Sequence, residues 1–402
     1  MEEFLLKKSI ETRVPSLLLL IVLVGFPQIS ETIFTPSLPD IAHDFQASMA
    51  TVQLTLSIYF LAFALGVFFW GWLSDFIGRR KAMLYGLVFY GVGSFLCFRS
   101  GSVEVLLFAR FIQAFGASTG SVVTQTILRE SYSGNQRHTL FAQISAALAF
   151  TPAIGPLIGG LVDQYLGFRA VFFVLVLMSV LVFCYAFLRL PETFEVSKRV
   201  PVKLVPIIRR LLRSPKVLTY GFLIGAINGV LFSYYAEAPF IFIEQFHLST
   251  AMYGFLGIGV AGASILGSLL SKRLLSIYQP EKIILLGIKT MMFGTLFLLI
   301  TSMANNLPES VQFWLMLIGI FILLTGTGMA LPNCLSLALV DFQDVIGSAG
   351  AIFSLGYYLL VSLFTFGMSK LHNGTLLAMP LYFLIIGVLM FLLARKFLIS
   401  TK

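Results

Sequence analysis

Glu31, Arg110 and Glu237 each stand inside a long apolar stretch of this 402-residue chain. Holding a charge away from water is costly, so such residues normally face a cavity or a partner. An acid beside a movable guanidinium can take up and release a proton as its access to water alternates, because burial and a neighbouring cation push its affinity for protons in opposite directions. Glu31 and Arg110 fall at comparable depths on two antiparallel apolar segments, and Glu237 falls in the same third of a later one. Gln113 follows Arg110 by one helical turn on the same segment. Two plainer readings stand beside this one: Glu31 is solvated at the interface, and Arg110 snorkels outward.

The elements that position these residues follow from composition. The chain is 58% hydrophobic, 14% aromatic and 11% charged, with mean hydropathy +0.94. Soluble domains carry about 25% charged residues, so the soluble classes are excluded. Apolar runs of about 20 residues match helices crossing roughly 30 Å of hydrocarbon, whereas outer-membrane barrels show short alternating strands. We read twelve spans, near 16–35, 48–70, 82–99, 103–126, 140–162, 168–188, 217–241, 252–271, 283–303, 311–334, 347–369 and 376–394. The fold class is therefore an all-α integral membrane protein.

The formal charge of +9 is concentrated between alternate spans, above all at Arg189, Lys198, Arg199, Lys203, Arg209, Arg210, Arg213 and Lys216. That is the positive-inside pattern, which places both termini in the cytoplasm and makes the basic balance a topology signal, with no nucleic-acid partner. The same Pro-rich interval divides six spans from six: residues 1–190, a basic linker 191–216, and residues 217–402. Two six-helix bundles around a midplane site are expected. Cys97, Cys184 and Cys334 lack paired spacing and read as small core residues. His43, His138, His247 and His372 sit near loops without metal spacing and read as solvated. No nucleophile–base pair, phosphate loop or metal cluster is present, so neither an enzyme nor a cofactor is expected.

After the second span, Gly71, Asp75, Gly78, Arg79 and Arg80 fit G-x-L-x-D-x-x-G-R-[KR]. Physically, Gly71 allows close helix approach, Asp75 can pair with arginine or face a helix N-terminus, and Gly78 permits a tight turn. Arg110-Phe-Ile-Gln113-Ala-Phe-Gly116 and the Gly155-Pro156-Leu-Ile-Gly159-Gly160 segment follow. Glycines there permit close packing between helices of opposite halves, and prolines bend the helix. With Leu190-Pro191-Glu192-Thr193, Gly167-Phe168-Arg169, Ala238-Pro239 and Pro332-Asn333, these stretches resemble the bicyclomycin/chloramphenicol-resistance (Bcr/CflA) branch of twelve-helix drug:proton antiporters in the major facilitator superfamily. One departure concerns the acid of the first span. The branch's Asp falls on Thr32 here, and Glu31 stands one residue earlier, about 100° around the helix.

The resemblance implies a major facilitator fold and export of lipophilic or amphiphilic small molecules against protons across a bacterial inner membrane, with the lipid bilayer as the chain's surroundings and a monomer as the working unit. It implies Glu31, Arg110 and Glu237 as proton-coupling residues, and a deformable cavity drawn from Tyr59, Gln113, Asn228, Tyr234, Tyr235, Asn333 and Tyr357. Export of a single endogenous metabolite, such as a siderophore, and a receptor of transporter shape remain as alternatives.

Overall fold

The computed structural model describes residues 14–132, 136, 140, 143–144, 147–193, 204–304 and 306–399. Lys198, Arg199, Lys203 and His138 lie outside them. The described residues are helical, without strands. The long helices are α1 (Leu17–Thr32), α3 (Met49–Ile77), α4 (Arg79–Phe98), α5 (Val103–Ser131), α6 (Thr151–Leu166), α7 (Phe168–Arg189), α9 (Pro215–Pro239), α10 (Thr250–Leu274), α11 (Pro280–Met303), α12 (Glu309–Leu337), α13 (Ile346–Leu371) and α14 (Ala378–Ala394). Short helices α2 (Leu38–Asp44) and α8 (Leu204–Leu212) join them. Among the described residues, eleven helical segments are long and apolar enough to cross a membrane.

Local chemistry sets the helix ends. Ser16, Ser48, Ser102, Ser214 and Ser249 precede helices in extended backbone, and each Oγ accepts an N–H from the first turn. Removing such a cap typically costs about 1 kcal/mol. Several helices therefore overrun the apolar windows. α3, for example, continues to Ile77, where Gly78 (φ +95°) turns the chain directly into α4.

Two spans differ from the sequence expectation. The fifth, expected over 140–162, is interrupted by a turn at Ala149–Phe150, and α6 starts at Thr151. Pro152 has no N–H and its ring clashes with a preceding carbonyl, so it is tolerated in the first turn of α6 and not in the middle of a longer helix. The seventh continues beyond Pro239 as a π-helical turn, Phe240–Gln245. Proline removes a donor from the i→i−4 ladder, and the wider turn accommodates the loss.

The N-terminal helices pack as one half and the C-terminal helices as another. Between the halves, α3 packs on α13 and α6 on α10. Among the described residues, the side-chain hydrogen bonds that join the halves lie toward one end: Gln53 to Glu237 and to His372, Ser362 to the Ser57 carbonyl, Tyr235 to the Pro152 carbonyl and Thr250 to Gln164. That end is opposite the one carrying Arg79, Arg80 and the α8 arginines.

Candidate functional site

Arg110 is fully buried on α5. Its guanidinium carbon lies 4.0 Å from the Phe34 ring centroid and 4.2 Å from that of Tyr59. Such cation–π contacts contribute roughly 2 kcal/mol each once desolvated, which offsets part of the cost of burying the charge. Nη1 donates to Gln113 Oε1 and, at 3.4 Å, to the Ser30 carbonyl. Gln113 in turn donates to Ser94 Oγ at 2.8 Å. Arg110 Nε and Nη2, Ser30 Oγ and the Tyr90 hydroxyl are buried without hydrogen-bond partners. The guanidinium is thus held by two rings and one amide while two of its nitrogens lack an acceptor.

Glu31 occupies the last turn of α1 and is 6% exposed. It lies within electrostatic reach of Arg110, of Tyr59 of α3, and of Tyr357 and Tyr358 of α13. No direct ion pair joins Glu31 to Arg110. The one-residue offset from Thr32 puts the two side chains in different surroundings. Thr32 faces α6, where its Oγ1 fills the space beside Gly155, while the Glu31 carboxylate lies among the arginine and tyrosines at the boundary of the halves.

The other residues expected at this site separate into groups. Tyr59 is buried, stacks near Phe63 and points its hydroxyl at the Pro27 carbonyl, 3.5 Å away. Tyr357 and Asn228 are half-buried, and Asn228 donates to its own helix at the Ile224 carbonyl. Tyr234 and Tyr235 are buried in the contact between halves, their rings 5.5 Å apart. Gln113 is sealed inside the N-terminal half. Asn333 is buried too, and donates to Ser271 Oγ at 2.7 Å, tying α12 to α10.

Glu237 on α9 is 1% exposed and His372, just after α13, is 9% exposed at its side chain. The imidazole Nδ1 lies 2.9 Å from both Glu237 oxygens, and Gln53 Nε2 of α3 lies 2.6 Å from Oε2. His372 is thus a packed hydrogen-bond partner of Glu237 where the sequence suggested a solvated loop residue. The reason is that the π-helical turn after Pro239 and the end of α13 close over it, with the Phe240 ring 5.4 Å away. His43 and His247 are exposed. Cys184 is exposed on α7, unlike the buried Cys97 and Cys334.

At the basic end, Arg79 is buried between acids. It reaches Asp75 Oδ1 at 2.5 Å, Glu130 Oε1 at 2.7 Å and Ser74 Oγ at 2.6 Å. Arg80 reaches the Phe187 carbonyl at 2.7 Å. Sequence reading found Asp75, and the structure adds Glu130 and Glu192, which lie far along the chain. A Cβ on Gly71 would meet Val122 at 3.2 Å, within reach of small adjustments.

On α6, a Cβ on Gly159 would stand 1.6 Å from the Ile33 carbonyl, and one on Gly160 would stand 2.3 Å from the Thr250 carbonyl of the other half. The Pro156 carbonyl in turn packs against Gly254 of α10. This segment is wedged between α1 and α10.

Comparison with known proteins agrees with this architecture. The family model described as Major Facilitator Superfamily matches residues 20–365. The chain is 33% identical to an "Uncharacterized transporter" of Rickettsia bellii, over 94% of this chain and 95% of that one. It is 30% identical to the "Chloramphenicol resistance protein" of Pseudomonas aeruginosa, over 85% of this chain and 81% of that one. Among solved structures, a D-xylose-proton symporter superposes with TM-score 0.76 at 16% identity, over 95% of this chain and 97% of that one, a likeness of fold. With the family's pattern running through most of its length, the chain belongs to the Major Facilitator Superfamily.

Proposed function

We propose that this protein is a proton-coupled exporter of lipophilic or amphiphilic small molecules, working by alternating access in a bacterial cytoplasmic membrane. In this reading the basic end faces the cytoplasm. Residues 1–190 and 217–402 rock against each other about the 191–216 linker, and the state described above is closed outside. The observation that carries the reading is the Arg110 guanidinium, buried with two nitrogens that lack acceptors, beside a Glu31 carboxylate that no ion pair engages. A carboxylate that swings onto Arg110 is ion-paired in one arrangement and released in the other. Differential affinity of the two arrangements for a proton shifts the equilibrium between inward- and outward-open states.

The exported class follows from what borders Glu31. Tyr59, Tyr357 and Tyr358 offer aromatic faces with few fixed polar groups, a surface that accepts varied apolar molecules. A relative named for chloramphenicol resistance fits that chemistry. Glu237 is the second acid, at the outer contact, and the protein acts as a monomer.

The test uses proteoliposomes with an internal pH-sensitive dye, an imposed pH gradient and a panel of chloramphenicol-like drugs, lipophilic cations and a siderophore. Drug-triggered proton movement in wild type, abolished in Glu31→Gln, supports the reading. Coupling that survives Glu31→Gln moves the carrier to Glu237. Proton movement with the siderophore alone identifies a dedicated metabolite exporter, and none with any compound identifies a receptor.

A further inference from the structure

Gln53, Glu237 and His372 form a polar cluster whose members come from both halves. Gln53 is buried on α3, Glu237 is buried on α9, and His372 is half-buried after α13. Within the C-terminal half, the imidazole Nδ1 faces both carboxylate oxygens at 2.9 Å, and it lies 3.3 Å from the Gln53 amide nitrogen. Across the halves, the Gln53 amide donates to Oε2 at 2.6 Å. We propose that His372 is a proton-binding site of the outer face, and that the charged imidazole holds the Glu237 side chain aimed at Gln53, latching the halves shut at that end. The inference rests on the alternating-access reading above and adds to it the control of the outer gate.

The chemistry follows from what each proton state leaves behind. With His372 charged, the buried carboxylate has a counter-ion and two donors, so the pair is satisfied and Oε2 remains a strong acceptor for Gln53. When the imidazole loses its proton, a carboxylate that is 1% exposed keeps a neutral donor but no counter-charge. Uncompensated buried charge is costly, and separation of the halves relieves it by admitting water. The imidazole is the more exposed member of the pair, 9% at its side chain against 1% for Glu237.

The surrounding charges work in the same direction. Glu237 faces the ring from α9, and Glu244 faces it from the π-helical turn. Asp40 of α2 acts on Glu244. On the element of His372 itself, Lys370 is turned toward the Phe366 ring, 5.4 Å away. The hydrogen bond to Glu237, followed by the charges of Glu237 and Glu244, holds the His372 pKa above the ordinary histidine value, against an opposing effect of burial. In an open gate the ring is solvated and returns toward that ordinary value. A group with a raised pKa in the closed form stabilises that form fully below its ordinary pKa and loses the contribution as pH rises through the raised one. A proton arriving from outside therefore closes the outer gate, which is the order an antiporter needs after releasing its substrate.

The experiment measures gate distance, with no substrate and no gradient, so its outcome is independent of the transport assay. Spin labels are placed at Ala47 and Thr375, across the outer end, in a Cys184→Ala background in lipid nanodiscs. Pulsed dipolar distances are recorded at about pH 6 and about pH 9, bracketing the histidine range. In wild type the short-to-long population ratio falls with rising pH, about tenfold if one pKa unit separates the two forms. Because Glu31 is read above as shifting the same equilibrium, the comparison is made in a Glu31→Gln background, which keeps a pH response, and His372→Gln added to it abolishes that response. Gln53→Leu leaves the His372–Glu237 pair in place yet shifts the population to long distances at both pH values.

A wild-type ratio that does not move with pH overturns the proposal. So does a pH response that survives when His372→Gln is added to Glu31→Gln, one that disappears in Glu31→Gln alone, or an unchanged short population in Gln53→Leu. If His372→Gln fails to fold, the Gln53→Leu distances decide.

Discussion

Glu192 caps a helix that begins more than a hundred positions before it. Its Oε1 accepts the backbone N–H of Arg79 at 2.8 Å, at the first turn of α4, and its Oε2 accepts that of Arg80 at 3.2 Å. A carboxylate there satisfies two donors that the helix itself leaves open and lies at the positive end of the helix dipole. The same acid crowds Gly78: a Cβ at that position would stand 2.5 Å from Oε2, on a backbone of φ +95°. Glu192→Ala is expected to cost about 1–2 kcal/mol, as for a lost charged cap, and to loosen the Arg79 cluster. Thermal unfolding in detergent checks this as a lowered Tm. Gly78→Ala adds a methyl and an unfavourable left-handed conformation, so its Tm should fall at least as far, and an equal Tm for wild type and both variants sinks the account.

Gly160 tests the contact between halves directly. Its Cβ position lies 2.3 Å from the Thr250 carbonyl, which is backbone and has no rotamer to give way. Gly160→Ala should push α6 from α10 and disfavour the outer-closed state, with folding preserved because the strain sits between the halves. The expected readout is a longer outer-end distance by the same dipolar measurement, with little change in Tm. Gly159→Ala differs, because the Ile33 carbonyl it would strike, at 1.6 Å, belongs to its own half. That variant should lose stability. A large Tm loss in Gly160→Ala with no change in gate distance contradicts this division of roles.

How much of this was legible beforehand depends on the range of each signal. Arg110 and Glu31 stand out because a single charge in an apolar run has few explanations, and the Asp75 and Gly155–Gly160 patterns are contiguous. The fifth span was misjudged at its start, since an apolar window does not reveal that Pro152 ends one helical run and opens another. Gln53 and His372 gave no such signal. One is an uncharged polar residue near a helix start, and the other lies in a loop. Their partner Glu237 is 184 residues from Gln53, and only assembly of the two halves joins them. Asn333 was visible as a polar residue in an apolar span, but its choice of Ser271 over the cavity is set by helix packing.

Arg110 is held by shape as well as by charge. The planar guanidinium lies against Phe34 and Tyr59, and a lysine ammonium keeps the charge but forfeits the stacking and the fork of donors. Arg110→Lys should therefore retain expression and lower coupled transport at least about tenfold, the effect of roughly 1.4 kcal/mol. Gln113→Leu removes the acceptor for Arg110 while leaving the charge and the rings. It should reduce transport by a similar factor if Gln113 positions the guanidinium. Near-wild-type proton movement in both variants rules out a fixed geometry at Arg110 as a requirement for coupling.

Asn333 and Asn228 are the same residue type with opposite surroundings, and so separate packing from substrate contact. Asn333 donates to Ser271 and to the Met329 carbonyl, both inside the C-terminal half. Hydrogen bonds between membrane helices contribute about 0.6 kcal/mol on average. Asn333→Ala should thus lower Tm and leave the relative rates for different drugs unchanged. Asn228 spends its amide on its own helix and is half-buried. If the proposed cavity borders Asn228, Asn228→Ala should leave Tm nearly unaltered and change the apparent KM for some drugs more than others, because a polar group at a cavity wall discriminates among ligands without holding helices together. Measuring drug-dependent proton movement for three unlike substrates in both variants decides the matter. A drug-selective effect in Asn333→Ala and none in Asn228→Ala would reverse the assignment and put Asn333 at the cavity wall.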